Sequence, residues 1–369
     1  MPLVPPYIEL LEPYKPGKSI LELQRELGIS NIIKLASNEN PLGPSPKAIE
    51  EVKKAICNSH LYPEGGLQLR EVLAEKFHLK VANVIAGNGS ESIMANIIRT
   101  YLCDDDEMIT TESPFIGFRV LAQSRGIKTT YVPYNDWKYD LVEVAKRINE
   151  NTKIIYLANP NNPTGTIFTK EEFDEFMKHV PFRVLIIHDE AYFEYAHHDP
   201  TYPDSMHYRY DNVITLRTFS KCYGLAGIRI GYGFAHDELI SNLLKIKLPF
   251  EPSLLATAAG IGALNDSEFL EKTLELNRIG MQFLVSSLSA IGLNVITSWA
   301  NFIMVVFQNE AQVNVIFNQL LHKGIIVRPL KAFGLPHCLR ITVGKENENT
   351  RLIESLQDIL LKENLLLQD

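Results

Sequence analysis

Lys221 lies in the run Thr218-Phe219-Ser220-Lys221-Cys222-Tyr223-Gly224, with Arg229 a few residues on, so that a hydroxyl, an amine and a guanidinium cluster between two apolar, strand-like stretches. A lysine forms an imine with an aldehyde only when its amine is neutral, and partial desolvation with a neighbouring cation lowers its pKa toward that state. Arg229 is a candidate for the cation. An isolated Ser-Lys is usually a solvated turn, but further chemistry-bearing residues stand upstream in a workable order. The buried-strand pattern Lys153-Ile154-Ile155-Tyr156-Leu157-Ala158-Asn159 breaks at Pro160-Asn161-Asn162-Pro163-Thr164-Gly165, which sets Asn162 at a strand's carboxyl end. A second apolar run from Arg183 ends on Asp189, with Tyr192 just beyond. Ligands of open parallel sheets collect outside such ends.

These residue types suit pyridoxal 5'-phosphate. Its ring stabilises a carbanion best when the ring nitrogen keeps its proton, and a buried carboxylate, for which Asp189 is the candidate, holds that proton. The ring's phenolic oxygen needs an amide and a phenol, and Asn162 with Tyr192 fit. A phosphate takes a hydroxyl, an arginine fork and a helix amino terminus; Ser220, Arg229 and Gly87-Asn88-Gly89-Ser90 match. That glycine turn follows a predicted strand over Val81–Ala86 and precedes a helical pattern with Ile93, Met94, Ile97, Ile98, Tyr101 and Leu102 on one face. Phe115, after Glu112-Ser113-Pro114, is placed to lie over a cofactor ring, although an aromatic after a strand also serves as core filling.

With these pieces in order, the chain resembles the fold-type I pyridoxal-phosphate aminotransferases and, within them, the histidinol-phosphate aminotransferases. The resemblance runs over nearly the whole length. It rests on Ser37-Asn38-Glu39-Asn40-Pro41-Leu42-Gly43, Tyr62-Pro63, Gly89-Ser90, Pro160 to Gly165, Asp189-Glu190-Ala191-Tyr192, Ser220-Lys221 with Leu225 to Arg229, and Leu339-Arg340-Ile341-Thr342-Val343-Gly344. It implies that Lys221 anchors the cofactor and moves the proton, with Asp189 on the ring nitrogen and Asn162 and Tyr192 on the phenolic oxygen. Ser220, Arg229 and the amides of Gly89 and Ser90 would hold the phosphate, joined by Tyr62 from a second subunit of a homodimer. Asn38 and Arg340 would bind substrate, Arg340 through bidentate recognition of a carboxylate, and Tyr14 and Arg328 would meet a substrate phosphate. The implied reaction is amino transfer from L-histidinol phosphate to 2-oxoglutarate in histidine synthesis. Aromatic amino-acid aminotransferases and threonine-phosphate decarboxylases share the scaffold and are the alternatives; a non-catalytic sensor fused to a transcription regulator is a more remote one. Two positions depart from the family pattern. Phe115 stands where many relatives have tyrosine, and Gly89-Ser90-Glu91-Ser92 replaces Gly-Ser-Asp-Glu.

Composition agrees. A chain of 369 residues with 46% hydrophobic content exceeds a usual single core and is expected to divide. The expected organisation is an arm and the start of a small domain over 1–44, a large cofactor-binding domain over 45–265 and the rest of the small domain over 266–369. A net charge of -8 argues against a broad nucleic-acid footprint. Four scattered cysteines suit a reducing compartment, and neither an export signal nor a membrane-length apolar run is evident, so the expectation is cytoplasmic. His197-His198-Asp199 lies in a polar loop without a ligand pattern, and no metal is assigned.

Strands alternating with amphipathic helices predict an α/β fold with a parallel sheet covered by helices on both faces; the resemblance implies the fold-type I form, a large domain with a mostly parallel seven-stranded sheet flanked by helices plus a smaller α+β domain. Ser45 before Pro46 and Thr169 with Glu172 read as helix starts. One long helical region is expected from Pro252 toward Leu288, then strands at Asn294–Thr297 and Phe302–Phe307, and the proline-rich first eighteen residues read as an extended arm.

Overall fold

Near-continuous apolar runs become the strands of one sheet in the computed structural model, which describes residues 3–11, 13, 17–208 and 210–363. In chain order these are β1 (Val84–Gly87), β2 (Glu107–Thr111), β3 (Lys128–Val132), β4 (Thr152–Ala158), β5 (Leu185–Asp189), β6 (Val213–Thr218) and β7 (Gly231–Phe234). Their spatial order is β1-β7-β6-β5-β4-β2-β3, with β7 antiparallel to both neighbours and the other pairs parallel. This is the helix-covered, mostly parallel sheet that the alternating pattern predicts, with the seven strands that the resemblance implies. Parallel strands covered on both faces read as unbroken apolar runs because neither side meets water.

One face carries the helices Ser90–Tyr101, Ile116–Arg125 and Asp237–Ile246; Ile93, Met94 and Phe118 pack there on Tyr156, Ile187 and Leu216. Helices Leu141–Lys146 and Lys170–Met177 cover the other face, where Val144 and Phe173 meet Ile155, Leu157 and Ile186. Both expected helix starts form. Ser45 accepts from the Ala48 amide ahead of Pro46, and Thr169 and Glu172 make a reciprocal capping box.

A second, antiparallel sheet holds β8 (Asn294–Ile296), β9 (Phe302–Val306), β10 (Arg328–Pro329) and β11 (Cys338–Thr342) in the order β8-β9-β11-β10. Helices Glu310–His322 and Glu346–Lys362 pack on it through Val313, Ile316, Leu352 and Leu356. The amino-terminal pair Ile33–Lys34 runs parallel to Ile325–Ile326 beside this sheet. Helix Ser267–Ala290 bridges the two cores, with Leu270 and Leu274 on the larger and Leu284 and Leu288 on the smaller.

Three local expectations are corrected. Val81–Asn83 is a 3-10 turn rather than strand, because the partner β7 stops at Phe234 and the next residue, Ala235, exchanges hydrogen bonds with Asn83 instead. The long helical region is two helices, Leu254–Leu264 and Ser267–Ala290. At the break, Asp266 accepts from Ser45 Oγ at 2.6 Å and the Lys47 amide at 3.1 Å, serving the start of another helix. Within the amino-terminal arm, Pro6–Glu9 forms a helical turn instead of extended chain.

Candidate active site

β4, β5 and β6 end side by side, with Ala158 opposite Asp189 and Asp189 opposite Leu216, so three sequence-distant motifs open on one point. A cavity of about 150 Å³ lies there. Lys221, Asp189, Tyr192 and Asn162 line it together with Phe115, while Gly89, Ser90, Ser220 and Arg229 form one end.

Lys221 Nζ donates to the Ser37 carbonyl at 3.3 Å and stands 5.7 Å from the centre of the Tyr192 ring. Burial, then the charges of Arg340 and Arg229, lower its pKa to about 8 against the opposing pull of Glu39 and Asp189. The expected depression is present, but Arg340 contributes more than Arg229. Sequence reading named the cation that was near in the chain.

Asp189 is buried, and its oxygens accept from Tyr156 Oη at 2.7 Å and the Ala191 amide at 3.2 Å. Burial pushes its carboxyl up to about 6, while both donors pull the other way. Tyr192, raised to about 12 chiefly by burial, accepts from Asn38 Nδ2 at 2.8 Å. Asn38 is itself held at a positive φ of 56°: its amide donates to Thr342 Oγ1 at 2.9 Å, and its side-chain oxygen accepts from the same hydroxyl.

Arg340 reaches across from β11. Nη1 donates to Asn162 Oδ1 at 2.5 Å and Nη2 to the Ala36 carbonyl at 3.0 Å, while the guanidinium lies 5.2 and 5.7 Å from the ring centres of Phe302 and Phe333. Arg328 stands opposite Arg340 in the β10–β11 ladder and is buried as well. Arg340 therefore adjoins the cavity through Asn162, and Arg328 sits opposite it in the ladder, two cations of a type suited to anionic groups.

The other end is built around glycine. Gly89 has φ +81°, and a Cβ there would come within 2.7 Å of Arg229 Nη2. A Cβ on Gly231 would lie 2.4 Å from the Ser90 amide nitrogen. Helix Ser90–Tyr101 begins at this spot, and first-turn amides have no intrahelical acceptor. Thr218 Oγ1 donates to Ser220 Oγ at 3.0 Å. Amides, a hydroxyl and a guanidinium thus converge where the backbone is open, which is an anion cradle.

The description "Aminotransferase class I and II" matches residues 30–356. The chain belongs to this aminotransferase family. Histidinol-phosphate aminotransferase of Anaeromyxobacter sp. is 42% identical over 98% of this chain and all of its own length. That of Moorella thermoacetica is 42% identical over 95% and 91%. Among solved structures, histidinol-phosphate aminotransferase from Sinorhizobium meliloti in complex with pyridoxal 5'-phosphate superposes with a TM-score of 0.86 at 27% identity, covering 98% and 99% of the two chains. Aspartate aminotransferase from Thermus thermophilus shares the fold, with a TM-score of 0.83 at 20% identity.

Among the anticipated site residues of this aminotransferase that the structure describes, Asn38, Arg328, Arg340 and Tyr62 do not line the cavity itself, although Asn38 and Arg340 bond to Tyr192 and Asn162, which do. Tyr62 is 80% exposed and stacks on Phe250 with ring centres 4.3 Å apart. Tyr14 lies outside the described residues. Conversely, Tyr156 and Thr218 line the cavity without having been anticipated. Tyr156 had a usable signal, since alternation puts it on the same sheet face as Ala158, at the strand end. The Ser37 and Ala36 carbonyls had none.

Proposed function

We infer that this chain is a histidinol-phosphate aminotransferase, moving the amino group of L-histidinol phosphate to 2-oxoglutarate to give imidazole acetol phosphate and glutamate. The observation that carries this reading is full-length identity of about 40% to enzymes of that name, joined to a cavity shared by Lys221 and Asp189. The residues present fit pyridoxal 5'-phosphate: a buried carboxylate, a depressed lysine, and a glycine-built anion cradle that a single Cβ would fill.

Asp189 would face the cofactor's ring nitrogen, Asn162 and Tyr192 its phenolic oxygen, and Gly89, Ser90, Ser220 and Arg229 its phosphate, with Phe115 over the ring. When bound, the cofactor supplies an electron-withdrawing ring that stabilises charge on the substrate's amino-bearing carbon. Lys221 Nζ, neutral in a useful fraction near pH 8, would take the proton from that carbon as general base and deliver it to the cofactor's carbon as general acid. Arg340 grips the carboxylate of glutamate with its planar fork, held in aim by Asn162 and Ala36. Arg328, and Tyr14 on the sequence pattern, receive the phosphate of histidinol phosphate, while Asn38 fixes Tyr192 at the substrate's side.

The same reading includes a homodimer. Leu61, Tyr62, Leu248 and Phe250 are all exposed, an apolar group that a second copy would cover. Tyr62 would then serve the phosphate of the partner's site. Mixing Lys221→Ala with Tyr62→Ala chains tests this: hybrids regain activity when Tyr62 works across the interface and stay inactive when it works within its own chain. We further propose the division at 45–265 and 266–369, with 1–44 contributing an arm and, through Ile33–Lys34, an edge to the smaller unit. Among the described residues, no helix is long and apolar enough to cross a membrane, and a cytoplasmic setting is proposed on cysteine usage.

A spectroscopic half-reaction decides the substrate. Histidinol phosphate should convert the bound aldehyde to the amine form at far lower concentration than phenylalanine does, without release of carbon dioxide from threonine phosphate. Conversion by phenylalanine alone would overturn the assignment.

A further inference from the structure

Tyr156, in the interior of β4, is fully buried, and its hydroxyl donates to Asp189 Oδ2 at 2.7 Å. In the β4–β5 ladder its partner is Ile187, two residues before Asp189, so the phenol runs along the sheet face toward the strand end. Phe118 stacks on the ring with centres 4.0 Å apart and planes 9° apart. Phe118 is fully buried too, so the phenol has no room to turn away. It lies on the helix Ile116–Arg125, which Phe115 starts. One helix therefore provides both the aromatic at the cavity wall and the clamp on the phenol. Asp189 Oδ1 accepts from the Ala191 amide, so each carboxylate oxygen has one donor and keeps a further lone pair.

We propose that Tyr156 is a positioning residue for the reaction: its clamped hydroxyl aims the Asp189 carboxylate and keeps it a weak enough base for the proton to stay on the cofactor's ring nitrogen. This rests on the aminotransferase reading above, because it presumes that a pyridine nitrogen faces Asp189. The electrostatics point the same way. Burial raises Asp189, and the Tyr156 hydroxyl is the largest effect opposing that rise. Tyr156 itself stays a phenol, since burial and the Asp189 charge hold its own pKa well above the ordinary range. Without the donor, the carboxylate competes better for the shared proton and the ring withdraws electrons less.

The test uses the holoenzyme loaded with pyridoxal phosphate labelled with ¹⁵N in the ring, whose chemical shift reports protonation directly. In Tyr156→Phe, which keeps the stacked ring, the nitrogen's shift at neutral pH should move toward the unprotonated value, a change of up to about tenfold in how the proton divides between nitrogen and carboxylate, the scale of one hydrogen bond to a charged group. With 3-fluorotyrosine at 156, a stronger donor of nearly unchanged shape, it should move toward the protonated value. If Tyr156→Phe does not fold, the fluorinated protein decides alone. Neutral-pH nitrogen shifts that match the wild type, even with lowered thermal stability, overturn the proposal and leave Tyr156 a core residue. Failure of the wild-type protein to bind the labelled cofactor refutes the aminotransferase reading instead.

Discussion

Arg340 on the four-stranded sheet donates to Asn162 Oδ1, at the carboxyl end of the seven-stranded one, at 2.5 Å. The guanidinium proposed to face the substrate is thus oriented by a cavity residue proposed to serve the cofactor, and the hydrogen bond joins the two sheets.

Arg340→Lys keeps the charge and loses the fork. KM for glutamate and for 2-oxoglutarate should rise roughly ten- to a hundredfold, the equivalent of a charged hydrogen bond, while histidinol phosphate is less affected. Arg340→Met also removes the cation that most depresses Lys221. In the cofactor-free protein the lysine should then titrate at higher pH, visible in the pH dependence of its labelling by an amine-directed reagent; an unmoved profile would assign the depression to burial alone.

Lys221 links folding to pH in the cofactor-free protein. Its folded pKa, about 8, lies below the ordinary 10.5, so between these values the unfolded chain binds more protons than the folded one. Stability from this group therefore rises with pH across roughly pH 8 to 10.5. Urea unfolding of wild type and Lys221→Met should diverge in that window, with the wild type gaining relative to the variant as pH increases.

Gly89→Ala combines a left-handed backbone with a Cβ 2.7 Å from Arg229 Nη2. At ψ 164° this is a conformation essentially reserved for glycine, and strain of about 1–3 kcal/mol with a displaced guanidinium should weaken cofactor binding at least tenfold in equilibrium dialysis. Near-wild-type affinity would mean that the loop relaxes and that Arg229 is not committed to this end of the cavity.

Beneath the site, Arg217 is buried with Glu190: Nε and Nη2 reach Glu190 Oε2 at 2.8 and 2.7 Å, and Nη2 reaches Asp204 at 2.9 Å. The guanidinium also lies 3.3 Å from the centre of the Phe193 ring. Arg217→Met leaves the Glu190 charge buried and should cost about 3–5 kcal/mol in urea unfolding. Adding Glu190→Gln should recover part of that loss, because the stranded charge is then gone.

Much of the site was legible because its chemistry sits where strands end. Asp189, Asn162 and Lys221 each follow an apolar run, and the parallel register brings those ends together. The glycine turn before Ser90 was equally readable, since only glycine adopts φ +81° there without a clash. Tyr156 was read only as strand interior, because its hydroxyl gains meaning from Asp189 on the neighbouring strand.

What the residues alone determined was the set of reactive groups, their order along the chain and the alternation that makes a helix-covered parallel sheet. These follow from local rules: turn formers stop strands, and apolar periodicity selects elements. Tertiary structure decided which cation governs Lys221, that Arg340 is aimed by Asn162, and that Asp266 interrupts the long helical region to bond Ser45. Each depends on distance through space between residues far apart in the chain, and both burial and Coulomb energy act over that distance and not over sequence separation.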